Sequence, residues 1–283
     1  MEGLKKINFN DQDVSRELTV LNNKLSLNKD NLKKIFNCID LTSLNTYDDD
    51  ESIKLMAEKV SKFDNFFNIP NVAAICVYPN FAQTVKSNLT DPRVNIAVVG
   101  GGFPSSQTFL SVKLAECELA VSKGANEVDI VISVGDFLNG KYQEVFNEIY
   151  LIKKTIGNAH LKVILETGIL RNIENIYTAS FIAMEAGADF IKTSTGKLEP
   201  AATPEAVFVM TRAIKDYYNK TGRKVGIKPA GGISTPEDAA LYYGIVEYNL
   251  GEDWLNNNLF RIGASRLANN ILSELKGEEI KYF

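Results

Sequence analysis

The chain has 283 residues, of which 45% are hydrophobic and 23% are charged, and its formal net charge is −4. This length and composition are typical of a globular protein with a sizeable core. The negative net charge and the scattered basic residues argue against a nucleic-acid-binding surface, and no apolar run approaches the roughly 20 residues that a membrane span needs. We therefore expect neither a nucleic-acid partner nor a membrane association.

The few cysteines and the single histidine limit the kinds of catalytic or metal site that the chain can contain. The N-terminal segment lacks the apolar stretch of a secretory signal, and the three cysteines, Cys38, Cys76 and Cys117, are far apart. They are interpreted as reduced thiols, which predicts a cytoplasmic protein. The single histidine, His160, lies in a polar turn and is expected to be solvated, which disfavours both a histidine-based zinc site and a Ser-His-Asp triad. We expect no metal and no cofactor.

Short runs rich in Val, Ile or Phe recur along the chain, and most of them end in Gly, Pro, Ser or Thr, as β-strands do. Several are apolar on both faces, which is typical of parallel strands covered on both sides. In chain order the eight runs are CIDLTSL from 38, VAAICVYP from 72, VNIAVVGG from 94, NEVDIVIS from 126, LKVILET from 161, ADFIKTS from 188, KVGIKPAGG from 224 and LFRIGAS from 259.

Helical patterns lie between these runs, and the clearest cover 105–124, 142–157, 172–187 and 203–222. The alternation of eight strands with helices predicts a single (β/α)8 TIM barrel, whose usual length is about 250 residues. A doubly wound open sheet has the same local alternation and is the alternative. The count of eight and the GAS that ends the last run favour the barrel.

The domain organisation follows from that reading. We expect one barrel domain over 38–275, an N-terminal extension over 1–37 that is helical around 18–36, and a C-terminal tail over 276–283. The outer helices of a barrel could form a homodimer, although nothing in the sequence identifies the face.

Polar or reactive residues lie near the ends of most predicted strands. In a barrel the C-terminal ends of all strands meet at one face, where active sites are built. The sequence therefore predicts one site that brings together Asp40, Cys76, Asp129, Glu166, Lys192, Lys228 and Ser265.

Two lysines, Lys192 and Lys228, end neighbouring predicted strands and would share one small cavity. A like charge at ~6 Å and an effective dielectric constant of ~20 costs about 2.8 kcal/mol, which lowers a lysine pKa by roughly two units. Burial lowers it further. The result would be a neutral amine that can form a Schiff base. The alternative is that these lysines extend to solvent or pair with a carboxylate.

Asp129 lies between Val128 and Ile130, where a carboxylate is costly to bury without a partner. Facing the two lysines, it would be stabilised and could shuttle protons. A structural salt bridge is the alternative role, and the two roles are compatible. Glu127, the other carboxylate of this strand, is expected to point to the opposite face and to form an ion pair beneath the helices.

Small residues collect after the last three predicted strands, in STGK at 194–197, AGG at 230–232 and GAS at 263–265. Glycine lets backbone N–H groups approach an anion, and phosphate sites in barrels commonly follow strands seven and eight. A phosphorylated small molecule is therefore the expected ligand, with tight turns as the alternative. Neither a P-loop nor a dinucleotide fingerprint is present.

From about residue 38 to about residue 267 the chain resembles the deoxyribose-phosphate aldolases, which are class I aldolases with a barrel fold. The resemblance is carried by ANEVDIV, LKVILETG, GADFIKTSTGK and GIKPAGGIST, with support from DLTSL, AAICVYP and GFP. It implies that Lys192 forms the Schiff base, that Lys228 tunes it and that Asp129 relays protons. It also implies a phosphate held around Gly196, Gly231, Gly232 and Ser265.

Further candidates for contact with this substrate are Asp40, Cys76 and Lys197, the last of which is either near the phosphate or solvated. The sequence departs from the family pattern at three places. Ser105 and Ser106 follow Pro104, where many members have a glycine two residues after the proline. Arg266 follows Ser265 where close relatives have a small hydroxyl residue, and Phe283 follows Tyr282 where some relatives end in a tyrosine that reaches the site.

The activity that the resemblance implies is the reversible cleavage of 2-deoxy-D-ribose 5-phosphate to acetaldehyde and D-glyceraldehyde 3-phosphate, without a metal. Two alternatives stay open. One is another Schiff-base barrel enzyme, such as a transaldolase-like or keto-acid aldolase. The other is a catalytically silent protein that binds sugar phosphates.

Overall fold

The computed structural model describes residues 7–22 and 27–283. Within these residues each of the eight predicted runs overlaps one β-strand. The strands are β1 (Ile39–Thr42), β2 (Ala74–Val77), β3 (Asn95–Gly100), β4 (Glu127–Val131), β5 (His160–Ile164), β6 (Phe190–Lys192), β7 (Gly226–Lys228) and β8 (Ile262–Ala264).

The strands form one sheet in the order β7-β6-β5-β4-β3-β2-β1-β8, and the paired strands are parallel. Parallel bridges join Ile227 to Phe260 and Ala230 to Gly263, so the β7 end of the sheet meets the β8 end. The Gly263 N–H donates to Pro229 O at 2.9 Å across this seam. The sheet therefore closes on itself, which confirms the predicted TIM barrel and rules out the open sheet.

Helices alternate with the strands and cover the outside of the barrel. In chain order they are α1 (Asp11–Asn22), α2 (Lys29–Asn37), α3 (Asp50–Ser61), α4 (Ala82–Asn88), α5 (Leu110–Ser122), α6 (Val134–Leu138), α7 (Tyr142–Ile156), α8 (Thr167–Leu170), α9 (Ile173–Glu185), α10 (Pro204–Thr221), α11 (Pro236–Leu250) and α12 (Leu267–Lys276). Short 3-10 turns add Phe63–Asn65, Pro79–Phe81 and Glu252–Trp254.

Local sequence explains where the long helices begin. Thr203 caps α10 and Thr235 caps α11 through side-chain hydrogen bonds to backbone N–H groups, and each is followed by a proline at the first helical position. The helix predicted over 105–124 begins only at Leu110, because Ser106 has a φ of 60° and cannot continue a right-handed helix.

The two N-terminal helices lie outside the barrel. Helix α1 packs against α10 and α11, and α2 packs against α11 and α12. Val14, Leu18 and Leu21 of α1 are buried in these contacts. The helix expected around 18–36 is divided between α1 and α2, and residues 23–26 of that range lie outside the described residues.

The C-terminal tail also packs on the outside. The Asn269 side chain accepts hydrogen bonds from the Tyr282 and Phe283 N–H groups at 3.0 Å, and the Tyr282 hydroxyl donates to Lys59 O at 2.7 Å. The Tyr282 ring lies edge-on to Phe63 and Phe67. In this conformation Tyr282 lies away from the barrel mouth.

The apolar core has two parts. The larger part fills the space between the sheet and the helices. The smaller part, which we call the inner apolar cluster, comprises Leu44, Ala74, Cys76, Ala97 and Val99. Among the residues that the structure describes, no helix is long and apolar enough to cross a membrane.

Candidate active site

The inner face of β4 carries two carboxylates. Val128 and Ile130 belong to the outer core, so Glu127 and Asp129 point into the barrel, because successive side chains of a strand alternate between its faces. The expectation that Glu127 faces the helices is therefore wrong. Residues two apart in a strand share a face, and both carboxylates contact the same lysine, Lys162.

The two predicted lysines lie side by side. Lys192 of β6 is the register partner of Lys228 of β7. Asp129 Oδ2 lies 2.9 Å from Lys192 Nζ and 2.7 Å from Lys228 Nζ. The structure thus brings together the three residues expected to carry the chemistry, although they lie on three different strands.

Two further cations complete this cluster. Lys162 Nζ lies 2.8 Å from Asp129 Oδ1 and 2.6 Å from Glu127 Oε2. The Arg261 guanidinium, just before β8, lies 2.6 Å from Asp40 Oδ1 and 2.8 Å from Glu127 Oε1. Asp40 Oδ2 in turn lies 2.5 Å from Lys228 Nζ. Asp40, a predicted substrate contact, therefore lies inside an ion-pair network.

These contacts form a closed ring of alternating charges. The charge ring, as we call it, runs through Arg261, Asp40, Lys228, Asp129, Lys162 and Glu127 and back to Arg261. It contains three carboxylates and three cations, and all six side chains are buried. Lys192 is attached to this ring from outside through Asp129.

The surroundings separate the reactive lysine from the other two. Burial lowers the pKa of Lys192, and the Lys228 ammonium lowers it further, against the opposing effect of Asp129. Burial also disfavours charge on Lys162 and Lys228, but their carboxylate partners hold both pKa values above the ordinary lysine value. Lys192 is thus the lysine of this cluster that loses its proton most easily.

Sequence reasoning missed Lys162 and Arg261, although a signal for both was present. Lys162 stands between Leu161 and Val163, and Arg261 stands between Phe260 and Ile262. A charged residue inside an apolar run is the same pattern that singled out Lys192.

A cavity of about 340 Å³ opens at the C-terminal ends of β1, β6, β7 and β8. Lys192 forms part of its wall. Arg266 also borders it, together with Thr42 and Ser43. The predicted phosphate-site residues that line this cavity are Gly196, Lys197, Gly231, Gly232 and Ser265. Asp40 and Cys76 are not on its wall.

The loops after β6 and β7 approach each other closely. Gly231 has a φ of +88°, and a Cβ atom there would lie 2.6 Å from Ala201 Cβ and 3.1 Å from Gly196 Cα. A side chain at this position would push the two loops apart. The close approach keeps this wall of the cavity free of side chains, as binding of an anion by backbone N–H groups requires.

Glu166 holds the loop after β6 in shape. Its backbone is left-handed, with a φ of 55°, and its carboxylate accepts hydrogen bonds from Thr195 N–H at 3.1 Å and Thr195 Oγ1 at 2.6 Å. Thr195 Oγ1 accepts from the Lys197 N–H at 3.1 Å, and Lys197 Nζ donates to Leu44 O at 2.5 Å. Lys197 therefore bridges the loops after β6 and β1.

Cys76 and His160, the remaining residues singled out in the sequence, do not line the cavity. Cys76 belongs to the inner apolar cluster, and burial raises the pKa of its thiol. His160 is the first residue of β5 and not part of a turn as expected, but its side chain is exposed, with its Nδ1 3.8 Å from Glu127 Oε1. The described part of the chain contains no group of three or more His, Cys, Asp or Glu residues that could hold a metal ion.

Residues 35–242 match the model of a family described as DeoC/LacD family aldolase. The chain belongs to this aldolase family. It is 42% identical over 273 residues to the putative deoxyribose-phosphate aldolase of Caenorhabditis elegans, which covers 94% of this chain and 89% of that protein. It is also 42% identical over 252 residues to the deoxyribose-phosphate aldolase of Homo sapiens, across 85% of this chain and 79% of the human protein.

Solved structures of aldolases share the fold. The aldolase QR15 superposes with a TM-score of 0.70 at 30% identity and covers 86% of this chain and 96% of its own. A putative deoxyribose-phosphate aldolase from Coccidioides immitis superposes with a TM-score of 0.73 at 24% identity, over 94% of this chain and 98% of that chain.

Proposed function

We propose that this member of the DeoC/LacD family cleaves 2-deoxy-D-ribose 5-phosphate reversibly to acetaldehyde and D-glyceraldehyde 3-phosphate through a Schiff base on Lys192. One observation carries the proposal. Lys192 is buried beside Asp129, its pKa is lowered by that burial, and it opens onto a cavity bordered by glycine-rich loops. An amine that is neutral near pH 7 is what nucleophilic attack on a carbonyl requires.

In the synthetic direction the Lys192 Nζ lone pair attacks the carbonyl carbon of acetaldehyde and forms a carbinolamine. Loss of water gives an iminium, whose positive nitrogen withdraws electrons from the neighbouring methyl group. A proton leaves that methyl carbon, and an enamine results. The enamine carbon then attacks the aldehyde carbon of glyceraldehyde 3-phosphate, and hydrolysis of the new iminium releases the product and restores the Lys192 amine.

Asp129 is the group placed to move the protons. Its Oδ2 contacts both Lys192 Nζ and Lys228 Nζ, and its other oxygen is occupied by Lys162. We assign the proton transfers to Asp129, either through a water molecule or together with Lys228. A positioned acid or base of this kind contributes roughly 10²–10⁴-fold.

We assign the phosphate to the glycine-rich part of the wall of the same cavity. Gly196, Gly231, Gly232 and Ser265 border it there, and the lysine ammonium of Lys197 and the guanidinium of Arg266 supply positive charge. Lys192 borders the same cavity, so one substrate would meet both the phosphate-binding loops and the amine.

Trapping with borohydride tests the proposal. Hydride reduces an iminium to a stable secondary amine, so the protein incubated with acetaldehyde and borohydride should carry a two-carbon adduct on the Lys192 peptide, as read by peptide mass spectrometry. The Lys192→Met variant is the control and should carry no adduct there. An unmodified wild-type protein, or an adduct that remains on Lys228 when Lys192 is present, would contradict the assignment.

The same assay separates the alternatives. A transaldolase-like or keto-acid aldolase would form its adduct with dihydroxyacetone or pyruvate rather than with acetaldehyde. A silent binding protein would be stabilised against heat by deoxyribose 5-phosphate without being trapped by any of these donors.

A further inference from the structure

We propose that Arg261 and Glu127, which close the charge ring on the side remote from Lys192, are positioning residues that make Lys192 the group that gives up its proton. Neither residue lines the cavity. The inference deepens the Schiff-base function proposed above and rests on it. It concerns how the barrel interior sets the protonation state of the nucleophile.

Arg261 is held rigidly. Its guanidinium contacts Asp40 Oδ1 at 2.6 Å and Glu127 Oε1 at 2.8 Å, and its Nε donates to the carbonyl of Asn257. Its Cζ lies over the Phe190 ring, 5.6 Å from the centroid. Its planar fork therefore joins the carboxylates of β1 and β4, which lie on opposite sides of it in the ring.

Glu127 is equally well anchored. Besides Arg261 it contacts Lys162 Nζ at 2.6 Å and accepts a hydrogen bond from Asn95 Nδ2 at 2.7 Å, and His160 Nδ1 lies 3.8 Å from its Oε1. Glu127 therefore links Arg261 to Lys162, and Lys162 in turn contacts Asp129 Oδ1. Asp40 does the same on the other side of the ring through Lys228.

The number of charges in the ring explains why the protonated form of Lys192 is disfavoured. With Arg261 in place the ring has three positive and three negative groups and is neutral without Lys192. A protonated Lys192 adds an unbalanced charge to a buried site, where charges interact more strongly than in water. Without Arg261 the same ring would have one surplus negative charge, and the Lys192 ammonium would become its counter-ion.

The contacts also explain why the other lysines keep their protons. Lys162 contacts Asp129 and Glu127 and lies 3.5 Å from Asp40 Oδ2, and Lys228 contacts Asp129 and Asp40. Among the carboxylates of the described residues, Lys192 contacts only Asp129, which it shares with both of the others. Losing a proton from Lys192 therefore breaks the fewest ion pairs.

The titratable groups that face Lys192 come from three strands. They are Asp129 on β4, Lys228 on β7 and Cys76 on β2. Cys76 stays neutral because burial raises its pKa. Asp129 and Lys228 both belong to the charge ring, so a substitution at Arg261 or Glu127 changes the charge balance of the groups that face Lys192.

The test measures the pH at which borohydride trapping of Lys192 by acetaldehyde rises to half its maximum. The Arg261→Met variant removes a positive charge and should move this midpoint to higher pH by about one unit, which is tenfold less neutral amine at a fixed acidic pH. Glu127→Gln removes a negative charge with little change in shape and should move the midpoint to lower pH. The double variant restores the balance and should return it towards the wild-type value.

The conservative variant Arg261→Lys is the matched control. It keeps the charge, so its midpoint should stay close to that of the wild type even if the rate falls. If Arg261 and Glu127 only supported the fold, both single variants would show less trapping, but their midpoints would not move in opposite directions.

Each failure has a distinct meaning. If the wild type is trapped at Lys192 but the midpoints of the single variants stay in place or move the same way, the inference about Arg261 and Glu127 is overturned. If the wild type is not trapped, the proposed function fails first. If circular dichroism shows that Arg261→Met does not fold, Glu127→Gln decides by itself, and an unmoved midpoint there overturns the inference.

Discussion

The interior of the barrel has two unlike sides. One side holds the charge ring, with groups from β1, β4, β5 and β7 and from the residue before β8. The other side is the inner apolar cluster, with small residues of β2 and β3 and Leu44. Burial makes a charge on Lys192 costly, and the contacts on the charged side decide which lysine bears that cost.

The two sides should respond differently to substitution. Breaking a buried ion pair costs about 3–5 kcal/mol because it leaves an uncompensated charge. Trimming an apolar side chain leaves a cavity but no uncompensated charge. Substitutions on the charged side should therefore change both stability and titration, and those on the apolar side should change stability alone.

The largest effect is expected from Lys192→Met. The variant removes the nucleophile but leaves the charge ring of six residues closed. The rate of cleavage should therefore fall by roughly 10⁴-fold or more while the fold persists. Release of acetaldehyde from deoxyribose 5-phosphate measures the rate, and circular dichroism checks the fold. Activity within tenfold of the wild type would show that the chemistry lies elsewhere.

Lys228→Leu should have the next largest effect, because it opens the ring. Asp40 and Asp129 each lose a cation, so the free energy of unfolding should fall by about 3–5 kcal/mol. The pKa of Lys192 should rise, since Asp129 then has one cation fewer to share. Urea unfolding and the pH dependence of trapping measure the two changes. Lys192→Met is the matched control, because it also removes a lysine from Asp129. Equal loss of stability in both variants would contradict the distinction between ring and attached lysine.

Acid should lower the free energy of unfolding through the carboxylates of the charge ring and not through the inner apolar cluster. Burial opposes the ionisation of Asp129 and Glu127, but the surrounding cations hold both carboxyl pKa values well below the ordinary range. Their stabilising contribution is therefore complete above the unfolded-state values of about 4 and is lost as the pH falls below them. Unfolding followed in urea between pH 2 and 6 should show a free energy of unfolding that decreases as the pH falls below about 4. A free energy of unfolding that stays level or rises over this acid range would contradict the ring.

The smallest effect is expected from Val99→Ala. Val99 is the register partner of Asp129 but belongs to the inner apolar cluster. The free energy of unfolding should fall by about 1–3 kcal/mol through loss of apolar contact, and the midpoint of Lys192 trapping should not move. A shifted midpoint would mean that the two sides are not separate in their effects.

Much of the fold was predictable because short stretches of sequence, such as apolar runs and helix caps, indicate where its strands and helices lie. Each β-strand overlaps a short apolar run, and α10 and α11 begin at the proline that follows a threonine cap. The start of α5 was missed because a left-handed residue, Ser106, interrupts an otherwise helical stretch. The direction of Glu127 was misjudged, since a buried strand that is apolar on most positions does not reveal which face holds the polar partners.

The sequence alone determined that the protein is a barrel with polar groups at its strand ends and with lysines 192 and 228 as the candidates for chemistry. The tertiary structure alone decided that Arg261 and Lys162 belong to the same cluster. Asp40 and Arg261 are contacts across 221 residues of chain. Whether a buried lysine keeps its proton depends on the charges within a few ångströms of it, and only the closed barrel sets those distances.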